Sequence, residues 1–261
     1  MHATKITSYR IKKIKERQKR RKIVFLFCCS LLVICGFLAF LCYSKLFQIK
    51  QIIISDTKLI KIDDVYSYFK NITNSKKLFG LIDVNKNILF LNQSDCQKIQ
   101  SKFAALKNIQ CQKSLINQNI KLILEERKPV GVLCDDQQLL HCFLFDNEGI
   151  LFFETPNINL ESLLIKNVSG NIFFVGDKIS LNNLDNLIKL NNLLKNKFDF
   201  NYFELDKKDL NCLMKNGFKI IVSLDKLGES TNFLPKLFET NFDFNNLEYL
   251  DLRFLPKIYY K

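Results

Sequence analysis

From Ile23 to Tyr43 run 21 residues, IVFLFCCSLLVICGFLAFLCY, without a single charge. Coiled as an α-helix at about 1.5 Å per residue, such a run spans roughly the 30 Å hydrocarbon core of a bilayer. A buried core helix keeps a polar side, and this run has none. A cleavable signal peptide has an apolar core of about 7–15 residues, shorter than this one. A lipoprotein signal ending at Cys42 calls for a small residue before the cysteine, where bulky Leu41 stands. The pattern predicts one membrane crossing by residues 23–43.

The formal net charge of +13 then acquires a direction. Residues 1–22 hold ten of the 39 Lys+Arg against one acid, Glu16, so this stretch carries +9. After the span the nearest bases are Lys45 and Lys50. Basic flanks stay on the cytoplasmic side. Residues 1–22 are therefore expected as a cytoplasmic tail and residues 44–261 outside a plasma (inner) membrane. Only Tyr9 is available there to stack on a base, whereas each basic residue against an anionic leaflet contributes about 1 kcal/mol. The tail reads as a topogenic, lipid-facing segment and not as a nucleic-acid binder. Beyond it, a hydrophobic fraction of 48% with 24 Phe, four Pro and eight Gly excludes a disordered or collagen-like chain.

Nothing in the outer part spells catalysis. There is no HExxH, Walker loop, GxGxxG or GxSxG elbow. Of two histidines, His2 is in the tail and His141 sits in the apolar run LLHCFLFD, where a partly buried core imidazole is expected. The adjacent acids Asp63-Asp64, Glu125-Glu126 and Asp135-Asp136 diverge on helices and strands alike, so they read as solvated surface. Four of nine cysteines (Cys28, Cys29, Cys35, Cys42) lie in the span. The other five, Cys96, Cys111, Cys134, Cys142 and Cys212, form an odd set without CxxC spacing, which argues against a zinc ribbon or a disulfide framework. Cys134 and Cys142 flank a turn and share parity, so a cross-strand bridge is open to them in an oxidising compartment. Buried free thiols are the preferred reading. No metal and no cofactor is expected.

The outer part opens with a largely apolar strand from Phe47 to Ile54. A helix within Lys61–Lys70 follows, with Ile62, Val65 and Phe69 on one face, and then a loop over Asn71–Asn87. Ser94-Asp95-Cys96-Gln97 has capping-box spacing ahead of Cys96, Ile99, Phe103 and Leu106. Two strands are expected over Ile109–Ile116 and Asn119–Glu125, the second with Ile120, Leu122 and Leu124 on one side. Strand, helix, helix, strand, strand makes a three-stranded sheet with one face under two helices.

At Pro129 the chain changes character. VGVLC and LLHCFLFD read as a hairpin around Asp135–Gln138, and Asn147-Glu148-Gly149 turns into Ile150–Phe153. Ser180 is placed to cap a helix bearing Leu181, Leu184, Leu187, Ile188 and Leu194. Asn216-Gly217 joins LNCLM to FKIIVSL as a hairpin. A helix is expected over Glu229–Thr240 with Pro235 near its start. In the ending, LEYLDLRFLPKIYYK, Leu250, Leu252 and Phe254 share one face, and Asp251 can pair with Arg253 on the other. After Pro256, Ile258, Tyr259 and Tyr260 are expected to add a short strand with an unprotected outer edge, a place for a partner strand.

Together, the basic tail and single span, FQIKQIIIS, ILFLNQSDCQKIQSKFAALKNIQC, LILEERKPVGVL, FLFDNEGILF and YLDLRF with its trailing KIYYK resemble, in order and spacing, the FtsQ/DivIB family of bacterial cell-division proteins. Ser55 stands where the family usually has a glycine, and Ile116–Asn119 lacks a proline frequent there. The resemblance implies an α+β chain with a polypeptide-transport-associated (POTRA) domain at 47–127 (β-α-α-β-β). It implies next a β-domain at 128–261, mixed α/β with a largely antiparallel sheet. It implies a bitopic, non-catalytic scaffold of the division septum that binds FtsB/FtsL-like partners and helps regulate septal peptidoglycan synthesis. Matched onto this chain, the partner surface comprises Arg253, Phe254, Leu255, Ile258, Tyr259 and Tyr260, with the Arg253 guanidinium reaching a partner carboxylate. The first strand and helix are a second candidate surface. The competing expectations are a membrane-anchored envelope hydrolase, which needs a convergent acid pair or a Ser/Cys-His cluster in a cleft, and a POTRA-type translocation adaptor.

Overall fold

The computed structural model describes residues 3–78, 80, 82–135, 141–156, 163–179, 184–240, 242–244 and 246–261, with side chains from residue 19 onward apart from Leu78. The expected Ser180 cap with Leu181, Asp136 of the third acidic pair, and most of the Asp135–Gln138 turn lie outside the described residues.

Helix α1, Ala3–Tyr43, carries the tail and the apolar run without a break. Its Lys19–Tyr43 stretch, with a mean hydropathy of 2.9 and no burial against the rest of the protein, is long and apolar enough to cross a membrane. The chain then forms β1 (Gln51–Ile54), α2 (Ile62–Asn74), β2 (Lys77–Leu78), β3 (Ile82–Asp83), α3 (Gln93–Lys102), β4 (Leu106–Ser114) and β5 (Asn119–Glu126). Strand β5 is central in the order β1-β5-β4, with β1 parallel to it and Ile52 facing Ile120. This is the expected sequence of elements with one addition: Asn71–Asn87 is not a single loop. Helix α2 continues to Asn74, burying Thr73 below Val65 and Phe69, and β2 and β3 pair as a small hairpin.

The described chain divides into two compact units. The first comprises the residues up to Ser55 with Asp63–Cys96 and Gln110–Ile123. Within it, two buried side-chain amides hold the segment that leaves α1. Asn87 Nδ2 donates to the Leu41 and Cys42 carbonyls at 2.8 and 3.1 Å, and Gln118 Nε2 donates to those of Lys45 and Leu46 at 3.1 and 2.7 Å. Helix-end carbonyls lack intrahelical donors, which is why amides placed there are effective. Gln118 closes the β4–β5 turn with φ at 51°, so the conformation that a glycine would take freely falls on a residue whose side chain is needed. The start of α3 differs from expectation by two residues. Asn92 Oδ1 accepts from the Asp95 N–H, and Asp95 Oδ2 accepts from the Asn92 N–H, both at 3.1 Å. Asn92 and Asp95 thus close the reciprocal box, in place of Ser94 and Gln97. Cys96 and Cys111 form a disulfide, tying α3 to β4.

The second unit comprises Asp56–Ile62, Gln97–Ile109 and Leu124–Lys261. Its elements after β5 are β6 (Gly131–Cys134), β7 (Cys142–Phe145), β8 (Leu151–Glu154), β9 (Leu163–Asn167), α4 (Leu184–Lys197), β10 (Phe200–Asp206), β11 (Asp209–Met214), β12 (Lys219–Ser223), α5 (Leu227–Phe238), β13 (Tyr249–Asp251) and β14 (Tyr259–Tyr260). They build a nine-stranded sheet in the order β14-β13-β12-β11-β10-β9-β6-β7-β8. The sheet is more mixed than expected, since β6–β9, β9–β10 and β12–β13 run parallel. Parallel joins need crossovers, and α4 and α5 supply two of them.

Leu187, Leu190 and Leu194 of α4 and Leu227 and Leu234 of α5 share one core with Leu133, Phe145, Ile165, Phe203, Leu210, Ile220 and Leu250 of the sheet. The opposite face carries a smaller cluster of Val132, Cys134, Cys142 and Leu164. Gly131 lies so close to the Phe145 ring and the Leu163 carbonyl that a Cβ would collide with both. Pro235 sits in the interior of α5 and not near its start.

Two cysteine expectations are corrected. Cys134 and Cys142 are direct register partners on β6 and β7 and form a disulfide, so four of the five cysteines that follow α1 are bridged and Cys212 is left as a free, buried thiol. Burial pushes the Cys212 thiol pKa far up, which leaves it inert. His141 is exposed and not a core imidazole: its Nδ1 lies 3.2 Å from Glu154 Oε1 across the hairpin, outside the apolar layer.

Candidate partner-binding edge

Strand β14 is one of the two edge strands of the nine, β8 being the other, and it exists because the chain reverses after β13. Residues 253–256 form a turn, with the Lys257 N–H donating to the Phe254 carbonyl at 3.0 Å, and Tyr259 and Tyr260 return antiparallel to Asp251 and Leu250. Beyond them the Lys261 N–H donates to the Tyr249 carbonyl and the Tyr249 N–H to the Lys261 carbonyl, both at 3.3 Å. Antiparallel ladders alternate bonded and non-bonded pairs. Tyr249 and Lys261 exchange hydrogen bonds, so Leu250 and Tyr260 form a non-bonded pair and the Tyr260 N–H and C=O point outward, away from β13.

The turn is pinned by Arg253. Its Nε lies 3.0 and 3.1 Å from the two Asp251 carboxylate oxygens, its Nη2 2.7 Å from Asp251 Oδ2, and its Nη1 2.7 Å from Asp209 Oδ2. The Arg253 N–H also donates to Asp251 Oδ1 at 3.0 Å. Burial on its own would raise the Asp251 carboxyl, but the Arg253 hydrogen bonds and charge outweigh it and hold the pKa below its ordinary value. The same bonds from Asp251 and Asp209 raise Arg253 further. The expected Asp251–Arg253 pair thus forms, but Asp251 is buried and no surface acid. The guanidinium expected to reach a partner carboxylate is committed to two internal ones.

The remaining predicted residues separate by exposure. Leu255 and Ile258 pack partly buried against the main core. Phe254, Tyr259 and Tyr260 stay 55%, 50% and 59% exposed. Phe254 leaves the face it was expected to share with buried Leu250 and Leu252, because β13 ends at Asp251 and the turn rotates the chain. Its ring meets Tyr259 edge-on at 5.7 Å, with the Arg253 guanidinium 5.5 Å from the Phe254 ring centre. Tyr260 meets Phe242 edge-on at 5.3 Å. A groove of about 290 Å³ lies alongside, lined by Glu229, Asn232, Phe233 and Lys236 of α5 with Leu255 and Pro256. The edge therefore offers outward backbone groups, exposed aromatic rings and an adjoining groove, the components of strand addition.

The second candidate surface, the first strand and helix, forms a smaller hollow of about 170 Å³ among Ile49, Ile52, Tyr66, Thr73 and the lysines Lys50, Lys70 and Lys86. Besides Asn87 and Gln118, two carboxylates of structural weight carry no local sequence signal. Glu126, expected as surface, accepts the Lys58, Leu59 and Ile60 N–H groups at 2.8, 2.8 and 3.1 Å. Asp209 joins the Arg253 network from a neighbouring hairpin. No protein-family model and no curated protein matches the chain.

Proposed function

We propose that this chain is a non-catalytic bitopic scaffold of the bacterial divisome, of the FtsQ/DivIB kind. Residues 1–22 lie in the cytoplasm against an anionic leaflet, 23–43 cross the inner membrane, and the rest stands outside at the septum. Residues 47–127 act as a POTRA domain, a reading supported by the succession β1, α2, α3, β4, β5, with the β2–β3 hairpin inserted between the helices, and by the β1-β5-β4 sheet. Residues 128–261 act as the β-domain. The observation that carries the reading is the outer edge of β14, where Tyr260 turns its backbone outward beside exposed Phe254 and Tyr259. An FtsB/FtsL-like bitopic partner adds a strand there, and the assembly helps regulate septal peptidoglycan synthesis. No cofactor is needed for such a role.

The test is cellular. A fluorescent fusion of the full chain gathers at mid-cell during constriction, and depletion of the protein gives filaments. A fusion that stays evenly spread over the membrane while cells constrict overturns the proposal.

A further inference from the structure

We propose that this chain is a client of an extracytoplasmic dithiol oxidase, which makes both of its disulfides in order of synthesis and without help from an isomerase. The proposal rests on the outer placement of residues 44–261 and adds a reaction that must precede function. Cysteines on the cytoplasmic side stay reduced, whereas the outer side permits bridges.

The bridges are Cys96–Cys111 and Cys134–Cys142, separated by 15 and 8 residues. Along the outer chain these are the first with the second cysteine and the third with the fourth. Four cysteines allow three connectivities, and this one is what an oxidase produces when it meets cysteines one after another as they emerge from the membrane. Cys212 emerges last and ends as a buried free thiol. A native pattern of consecutive pairs needs no reshuffling.

Burial sets the timing. Cys96, Cys134 and Cys142 are at most 1% exposed, so a protein-sized oxidant cannot reach them once α3, β6 and β7 are packed. Oxidation therefore occurs on the unfolded or folding segment. The exchange is balanced. One client thiolate attacks the oxidase disulfide, forming a mixed disulfide and releasing one oxidase thiol. The second client thiolate attacks the client sulfur of that intermediate, closing the bridge and releasing the second oxidase thiol. Two electrons and two protons pass from client to oxidase for each bridge.

The experiment expresses the full chain, span included, in wild-type bacteria, in a strain lacking the periplasmic dithiol oxidase and in one lacking the disulfide isomerase. Cells are quenched in acid and alkylated under denaturing conditions with a maleimide polymer, with and without prior reduction. Nine cysteines, four of them bridged, give five adducts before reduction and nine after, in wild-type and isomerase-deficient cells alike. The oxidase-deficient strain shifts toward nine adducts without reductant. C96S/C111S and C134S/C142S variants each keep the five adducts before reduction but reach only seven after it, which assigns the bridges even where a variant folds poorly. Nine adducts in wild-type cells, undiminished bridging without the oxidase, or loss of bridging without the isomerase each overturns the proposal. Mid-cell placement of a fusion is scored separately, so failure of oxidation and failure of the division role are told apart.

Discussion

Arg253 shows how one side chain can be read correctly by position and still be assigned the wrong partner. Its two-residue spacing from Asp251 is visible in the sequence, and the pair forms. Asp209, 44 residues away, is invisible until β11, β12 and β13 are assembled. The consequence is measurable. Arg253→Ala strips the buried Asp251 carboxylate of its guanidinium donors, leaving only the backbone N–H of residue 253, and lowers unfolding stability by about 2 kcal/mol in denaturant titration, whereas Phe254→Ala, at an exposed ring, stays within about 0.5 kcal/mol. Arg253→Glu is worse than Ala, because it sets a third carboxylate against Asp251 and Asp209. Loss of partner capture in an Arg253 variant therefore reports on the turn, and Phe254→Ala is the cleaner probe of contact.

The pH dependence follows from the same pair. The Asp251 pKa is lower folded than unfolded. Its contribution is complete above the ordinary carboxylate range and is lost as pH falls through the depressed folded value. Wild-type stability thus drops on acidification more steeply than that of Asp251→Asn, and equal slopes contradict the network. Glu126 is a parallel case. Its three N–H partners lie 66 to 68 residues earlier, a distance no local pattern encodes. Glu126→Ala frees the 58–60 amides, and their hydrogen exchange accelerates at least tenfold if about 1.4 kcal/mol of local protection is removed.

Among elements, those with a period were legible. Strand β5 buries Ile120, Leu122 and Leu124 as the alternation demands, and the Asn216-Gly217 hairpin forms with Gly217 at a φ of 90°. Strand β9 was missed. Its LLIKN run is buried on both faces between β6 and β10, and a parallel interior strand shows no alternation to detect. Strand β10 does alternate, with Phe203 and Leu205 buried, but it follows α4 without a Gly or Pro signal to mark its start. The Cys134–Cys142 bridge was visible as shared parity across a turn, whereas Cys96–Cys111 requires a helix and a strand to be neighbours in space. The hairpin bridge closes a short loop between β6 and β7, so C134S/C142S lowers stability by about 2 kcal/mol. A thermal midpoint unchanged within about 1 °C would show the bridge to be dispensable.

At the scale of the whole molecule, charge, apolar helix and sheet edge are separate features of the chain. The +9 of residues 1–22 leads into Lys19–Tyr43, a stretch long and apolar enough to cross a membrane, and the Asn87 and Gln118 amides hold the segment that leaves that helix. The apolar helix and the order β1, α2, α3, β4, β5 were legible because hydropathy and periodicity are local properties, whereas the two-residue strands β2 and β3 are too short to show a period. The exposure of the C-terminal edge proposed for a partner is only partly encoded locally, because the turn at 253–256 decides which side chains face out. The central claim is that a partner strand pairs with the outward backbone of Tyr260. Proline at that position removes the outward N–H while leaving the bonds to β13 in place. The decisive measurement is co-purification of the FtsB-like partner with the detergent-solubilised full chain, comparing wild type, Tyr260→Ala and Tyr260→Pro. Capture is predicted to fall at least tenfold in Tyr260→Pro and to survive in large part in Tyr260→Ala, with both variants as stable as wild type within about 1 kcal/mol. Undiminished capture by a folded Tyr260→Pro protein would contradict pairing at this edge.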